Sequence, residues 1–331
     1  MYIASDTRYE KMKYNRCGKS GLMLPAVSLG LWHNFGDTGV YAKMEEMCFM
    51  AFDHGITHFD LANNYGPKAG SAESNFGKLL KEHFLPYRDE MIISTKAGYD
   101  MWPGPYGDWG SRKYLIASID QSLKRLGLDY VDIFYHHRMD PNTPLEETMG
   151  ALSQIVASGK ALYVGLSNYD GPTLEKASAI LDELHVPFVI NQNCYNIFDR
   201  TIEQNGLKAM SEKLGKGIIC FSPLAQGMLS DRYLNGIPED SRVRTDGRFL
   251  QESKLSEEVL GKIRALNEIA EGRGQTLAEM ALAWLLKEEV ITSVLAGASK
   301  PSQILLTLRQ SKTPALRRMK SRQLTGSAGR G

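Results

Sequence analysis

Apolar positions along this chain recur with two different periods. Short β-branched runs predict strands at residues 26–32 (AVSLGLW), 56–60 (ITHFD), 91–96 (MIISTK) and 130–137 (YVDIFYHH). Four more follow at 161–168 (ALYVGLSN), 188–193 (FVINQN), 217–222 (GIICFS) and 292–297 (TSVLAG). Amphipathic helical stretches lie between them. In SRKYLIASIDQSLKRLGL, Leu115, Ile119, Leu123 and Leu126 share one face at the helical period, and Ser111 is placed to cap the start. Eight near-continuous apolar strands, each followed by a helix or loop, imply parallel pairing with both faces covered. The fold this predicts is α/β, a single (β/α)8 TIM barrel. A doubly wound sheet is the competitor, but no G-x-G-x-x-G follows any of the strands. Ahead of the first strand, YNRCGKSGLMLP reads as an N-terminal β-hairpin over one barrel end.

Composition narrows the class without choosing the chemistry. No stretch of the 331 residues approaches the roughly 20 apolar residues of a membrane span, so no membrane insertion is expected. The N-terminus lacks a secretory hydrophobic core. Cys17, Cys48, Cys194 and Cys220 are scattered without a C-x-x-C pair, which fits reduced thiols and a cytoplasmic location. The net charge of +1 conceals an asymmetry. From Leu305 onward there are seven basic residues and no acidic one, leaving −6 on the rest. That tail has no aromatic residue to stack on bases, so nucleic acid is not the expected partner. The domain division expected is a barrel over 1–304 and an atypical basic tail, solvated and poorly ordered, over 305–331.

In a barrel of this kind the chemistry sits at the C-terminal ends of the strands. Those ends read Trp32, Asp60, Lys96, His137, Ser167 with Asn168, Gln192 and Ser222, with Ser299 just past the last strand. Three consecutive ends thus carry a carboxylate, an ammonium and an imidazole, and Tyr65 lies on the loop after the first of them. A lone strand-end Asp or Lys is usually structural; four such residues on neighbouring strands point to a site. Carbonyl reduction uses this set. Hydride arriving at a carbonyl carbon leaves negative charge on oxygen, which needs a proton donor. A phenol is a reluctant acid with a pKa near ~10, and a nearby ammonium favours its ionisation. Asp60 would hold Lys96 charged, and His137 would orient the carbonyl oxygen. His136 alternates to the other side of its strand, so a shared metal is not expected.

Asp60, Tyr65, Lys96 and His137 together resemble the catalytic tetrad of the aldo-keto reductases. GLSNYD (165–170), NQNCYN (191–196), SPLAQGMLS (222–230) and GASKPSQ (297–303) are similar to that superfamily as well. Within it, SLGLWHNFGDTG, LANNYGPKAGSAESNFG, STKAGYDMWPGPYGDWGSRKYL and YLNGIPEDSR look like the bacterial L-glyceraldehyde 3-phosphate reductases. That group is close to the β-subunits of voltage-gated potassium channels. The resemblance implies NADPH bound across the barrel mouth without a Rossmann domain. It implies Ser167, Asn168 and Gln192 on the nicotinamide carboxamide, with Trp32 and Phe221 beside the ring. Ser222, Leu224, Gln226, Arg232 and Arg242 would follow the pyrophosphate, and Ser299, Lys300 and Gln303 the adenosine 2′-phosphate. Lys300 and the helix start near Pro301 suit an anion; Ser299 taken alone is equally a helix cap. Relatives carry Glu and Asn where this chain has Leu306 and Thr307, which implies a looser clamp on adenosine. The resemblance also implies a tetramer or octamer.

The loop at 97–114 is aromatic and rich in Gly and Pro, and Tyr99, Met101, Trp102 and Trp109 could either cover the site or pack the loop on the barrel. Arg112 begins the next helix and is expected to meet a substrate phosphate. Trp32, Tyr65, Trp102, Arg112 and His137 are thus the substrate-side candidates, for small aldehydes such as glyceraldehyde 3-phosphate or methylglyoxal. The competing function is an NADPH-binding redox sensor attached to a channel-like partner.

Overall fold

A computed structural model describes residues 2–234, 236–237 and 255–312. The first two strands, β1 (Tyr14–Arg16) and β2 (Met23–Pro25), form an antiparallel hairpin. Each of the eight apolar runs then forms a strand: β3 (Val27–Gly30), β4 (His58–Asp60), β5 (Ile92–Ala97), β6 (Val131–His136), β7 (Ala161–Ser167), β8 (Phe188–Cys194), β9 (Gly217–Phe221) and β10 (Ile291–Ala296). They pair in parallel in chain order, and β10 returns to β3, so the eight close into a barrel. The fold is the (β/α)8 TIM barrel with a separate hairpin.

The helices on the outside are α1 (Tyr41–Asp53), α2 (Ser71–Leu79), α3 (Arg112–Leu126), α4 (Leu145–Ala157), α5 (Gly171–Glu183), α6 (Thr201–Gln204), α7 (Leu207–Leu214), α8 (Glu257–Glu271), α9 (Leu277–Leu286) and α10 (Pro301–Ser311). Local chemistry sets their limits. Ser111 accepts a hydrogen bond from the Tyr114 N–H at the start of α3, and Gly127 ends it in the left-handed region at φ 68°. The predicted stripe Leu115, Ile119, Leu123 and Leu126 is buried.

Strand alternation separates two interiors. On β4, Phe59 faces outward and stacks on Phe76 of α2 at 5.3 Å, while His58 and Asp60 face into the barrel. The hairpin closes the end where the strands begin. Cys17, Leu22 and Leu24 pack there with Ile133, Tyr135, Ile190, Ile219 and Leu295 from inside the barrel. Burying each such leucine is worth about 2 kcal/mol. The hairpin turn needs Gly18: at φ 56°, a Cβ would stand 2.0 Å from the Gly215 carbonyl oxygen.

Helix α10 packs against α1 and α9 through buried Ile304 and Leu308. The domain boundary drawn after Ile304 therefore falls inside this helix, and residues 313–331 of the tail lie outside the described residues. All four cysteines are free thiols. Among the described residues no helix is long and apolar enough to cross a membrane.

Candidate active site

Register brings the strand-end residues to one place. Asp60 pairs opposite Ser94, and Lys96 stands opposite Tyr135. Inside the barrel mouth, the buried Lys96 ammonium donates to Asp60 Oδ2 at 2.6 Å and to the Leu61 carbonyl at 2.6 Å. Its third contact is the Tyr65 hydroxyl at 3.3 Å. Asp60 accepts further hydrogen bonds at Oδ1, from Ser94 Oγ at 2.7 Å and Gln192 Nε2 at 3.1 Å. The carboxylate is thus fully engaged, as a buried charge requires.

Protonation follows from burial. Desolvation lowers the Lys96 pKa, with Asp60 opposing the shift. The Tyr65 phenol goes well above its ordinary value, through burial first and then the neighbouring Asp60 and Tyr99. This differs from the expectation that Lys96 would draw the phenol down. Burial and the nearby Asp60 carboxylate outweigh the Lys96 ammonium at 3.3 Å. Tyr65 consequently carries its proton at neutral pH.

His137 follows β6, and its ring meets Tyr65 edge-on at 5.9 Å and Tyr99 at 4.7 Å. Burial, then the charge of Lys96, keeps it neutral well below the usual histidine range. Its Nδ1 is enclosed without a partner. A buried N–H left unpaired is rarer than an unpaired acceptor, so the proton belongs on Nε2. His136 points the other way, bonding the Tyr169 hydroxyl through Nδ1 at 2.7 Å.

The cofactor candidates divide into four groups. Ser167, Asn168 and Gln192 lie together: Ser167 Oγ donates to the Gln192 carbonyl at 2.8 Å, and Asn168 Nδ2 donates to the His137 carbonyl at 3.0 Å. Trp32 stands on the mouth, 37% exposed, with its ring 6.5 Å from that of Tyr65. Phe221 ends β9, and Ser222, Leu224 and Gln226 follow it, with Ser222 and Gln226 in the left-handed region at φ 53° and 57°. Such strain in non-glycine residues gathers at functional sites. Arg232 sits in the turn Asp231–Tyr233; Arg242 lies outside the described residues. At the start of α10, Lys300 occupies the N-cap position with Pro301 next, and Gln303 Oε1 accepts from the Ser299 N–H at 2.7 Å.

The loop after β5 departs from expectation at Arg112, while Trp102 takes the packing alternative. Trp102 packs against Tyr114 of α3 at 5.3 Å. Arg112 is turned to α4, its guanidinium donating to Gln154 at 2.7 Å and its N–H to Glu147 at 3.0 Å, and is not brought to the mouth. The arginine serving this loop is Arg138, which lies 3.5 Å over Trp109 and 4.3 Å over Tyr99. It also donates to the Gly98 carbonyl at 2.6 Å and pairs with Asp108 at 2.6 Å.

A buried carboxylate–ammonium pair with a phenol and a neutral imidazole, at adjacent strand ends of a parallel barrel, suits proton donation to a carbonyl oxygen. The family model for the aldo/keto reductase family matches residues 26–326. This chain belongs to that family. It is an oxidoreductase. This aldo/keto reductase is 57% identical over 307 residues to L-glyceraldehyde 3-phosphate reductase of Escherichia coli O157:H7, covering 92% of this chain and 89% of that protein. The protein of the same name from Escherichia coli strain K12 matches to the same degree. A probable voltage-gated potassium channel subunit beta of Arabidopsis thaliana is 36% identical over 299 residues, covering 88% of this chain and 89% of that one.

The donor set suits a dinucleotide in this aldo/keto reductase. Hydroxyl and amide groups converge beside the tetrad, and a lysine stands at a helix start that favours anions. Sequence reasoning missed Ser94, His58 and Arg138. The signal for the first two was present: Ser94 and His58 each precede a tetrad residue by two, and alternate strand positions face the same side.

Proposed function

We propose that this enzyme reduces small aldehydes to alcohols with NADPH, glyceraldehyde 3-phosphate and methylglyoxal-like aldehydes among them, in the cytoplasm and as a homo-oligomer. The observation that carries the reading is the hydrogen-bonded set Asp60–Lys96–Tyr65 beside a neutral His137. NADPH, when bound, supplies the hydride. Ser167, Asn168 and Gln192 hold its carboxamide, with Trp32 and Phe221 beside the ring. Ser222, Leu224, Gln226 and Arg232 would follow its pyrophosphate, and Ser299, Lys300 and Gln303 would take the 2′-phosphate.

The carbonyl oxygen is held between the His137 Nε2–H and the Tyr65 hydroxyl. As negative charge develops on that oxygen, Tyr65 gives up its proton to it, and Lys96 stabilises the tyrosinate left behind. Asp60 keeps the ammonium charged through the exchange. The tyrosines and tryptophans of the loop at 97–114 limit water at the mouth. The similarity to enzymes named L-glyceraldehyde 3-phosphate reductase supports the substrate class.

The test is nicotinamide absorbance during turnover with each aldehyde, with NADPH beside NADH. Oxidation of NADPH in preference to NADH, fastest with glyceraldehyde 3-phosphate, is expected. Equal rates with both cofactors would remove the role given to Lys300. A sensor attached to a channel-like partner is the second reading, favoured by the likeness to the plant channel subunit. Slow turnover with cofactor retained through gel filtration would favour it.

A further inference from the structure

One side of the barrel interior is polar and no step above uses it. Ser28, His58, Ser94 and Ser293 are fully buried, on β3, β4, β5 and β10. Four hydrogen bonds join them to the active site: Ser293 Oγ with Ser28 Oγ at 2.7 Å, Ser28 Oγ with His58 Nδ1 at 2.9 Å, His58 Nε2 with Ser94 Oγ at 2.9 Å, and Ser94 Oγ with Asp60 Oδ1 at 2.7 Å.

Donor counting fixes the direction of every bond. An ionised carboxylate only accepts, so Ser94 donates its one proton to Asp60. Ser94 must then accept from His58, which puts the imidazole proton on Nε2. The lone pair left on Nδ1 accepts from Ser28, and Ser28 accepts from Ser293. A chain of hydrogen bonds running one way strengthens each member. We propose that His58 is a positioning residue of this reductase, its tautomer aligning the chain from Ser293 so that Ser94 donates to Asp60 and fixes the carboxylate against which Lys96 and Tyr65 are set. The proposal rests on the reading of Tyr65 as proton donor.

Burial supports a neutral ring. It lowers the His58 pKa to about 4, with Asp60 pulling the other way and Lys96 adding to the shift. His58 therefore keeps one N–H and one lone pair at neutral pH, as the chain requires. A satisfied core histidine that only fills space would show the same bonds, so the test must separate alignment from packing.

Two measurements on the full-length protein do so. Long-range ¹H–¹⁵N correlation of histidine-labelled protein reads the tautomer, with the His58 signal assigned by its loss in His58→Gln. An Nε2–H tautomer that persists down to about pH 5 is expected, and an Nδ1–H tautomer would overturn the proposal. In kinetics, His58→Leu leaves the Ser94 hydroxyl free to turn away. Its kcat is expected to fall roughly tenfold or more with NADPH affinity unchanged. His58→Gln places an amide N–H where Nε2 stood and should recover most of that loss. Should His58→Leu not fold, Ser94→Ala carries the same expected loss. A folded His58→Leu or Ser94→Ala with unaltered kcat, or a glutamine no better than leucine, would overturn it. A wild type without reductase activity would instead defeat the functional reading, and the tautomer measurement would still decide the chain.

Discussion

The Lys96 ammonium lies 2.6 Å from the Asp60 carboxylate, and both groups are buried beneath the hydroxyl of Tyr65. Removing one partner leaves an uncompensated charge in the barrel. Lys96→Met should therefore destabilise the fold by about 3–5 kcal/mol. Adding Asp60→Asn should restore much of that stability and none of the activity, because the phenol still lacks its ammonium. Urea denaturation alongside kcat checks this. A double variant no more stable than Lys96→Met would show that the pair does not carry the cost.

Acid should unfold the protein through histidines held neutral. His58 and His136 take protons only near pKa 4 in the folded chain, lowered by burial, and His137 lies well below its ordinary value. In the unfolded chain each binds a proton near pH ~6.5. Their contribution is therefore present above about pH 6.5 and lost as pH falls towards about 4, by about 2 kcal/mol for each of His58 and His136 at pH 5. Calorimetric Tm between about pH 7.5 and 5 should fall, and should fall less steeply in His136→Gln. Equal slopes would contradict the assignment.

Arg138 ties the loop at 97–114 to the barrel through Gly98, Asp108, Tyr99 and Trp109. Arg138→Ala should raise KM for aldehydes several-fold and speed proteolysis within that loop, while NADPH affinity holds. Arg112, engaged with Gln154, gives the contrast: Arg112→Ala should leave KM for phosphorylated and unphosphorylated aldehydes within about twofold. A selective rise for the phosphorylated substrate would restore Arg112 to the substrate site.

On α10, Leu306 is 53% exposed, and the Thr307 hydroxyl is turned back to the Gln303 carbonyl at 3.0 Å. Neither offers the carboxylate or amide that an adenosine clamp would use. Leu306→Glu with Thr307→Asn should tighten NADPH binding by about tenfold in a fluorescence titration, the worth of one good hydrogen bond to a polar ligand. Unchanged affinity would mean that these positions do not meet the adenosine.

The barrel was legible because each strand is a short apolar run and the helices between them carry apolar stripes, some with a side-chain cap such as Ser111 on α3. The tetrad was legible because strand ends in such a barrel converge whatever the loops do. Side-chain direction at a helix start was not. Arg112 could turn towards the mouth or towards α4, and only the position of Gln154, fixed by tertiary packing, decides it. The rise of the Tyr65 pKa was equally hidden, since it depends on how deeply the phenol is buried beside Asp60 and Tyr99. Ser28, His58, Ser94 and Ser293 escaped notice for another reason: they lie inside apolar runs, where a polar residue reads as an interruption.

The central claim is that Tyr65 donates the proton. Its most direct test is single-turnover NADPH oxidation with glyceraldehyde 3-phosphate in Tyr65→Phe beside the wild type, with the NADPH Kd measured for both. The account predicts a rate lower by about 100-fold or more with Kd unchanged. A Tyr65→Phe enzyme that binds NADPH equally well and turns over at the wild-type rate would contradict it.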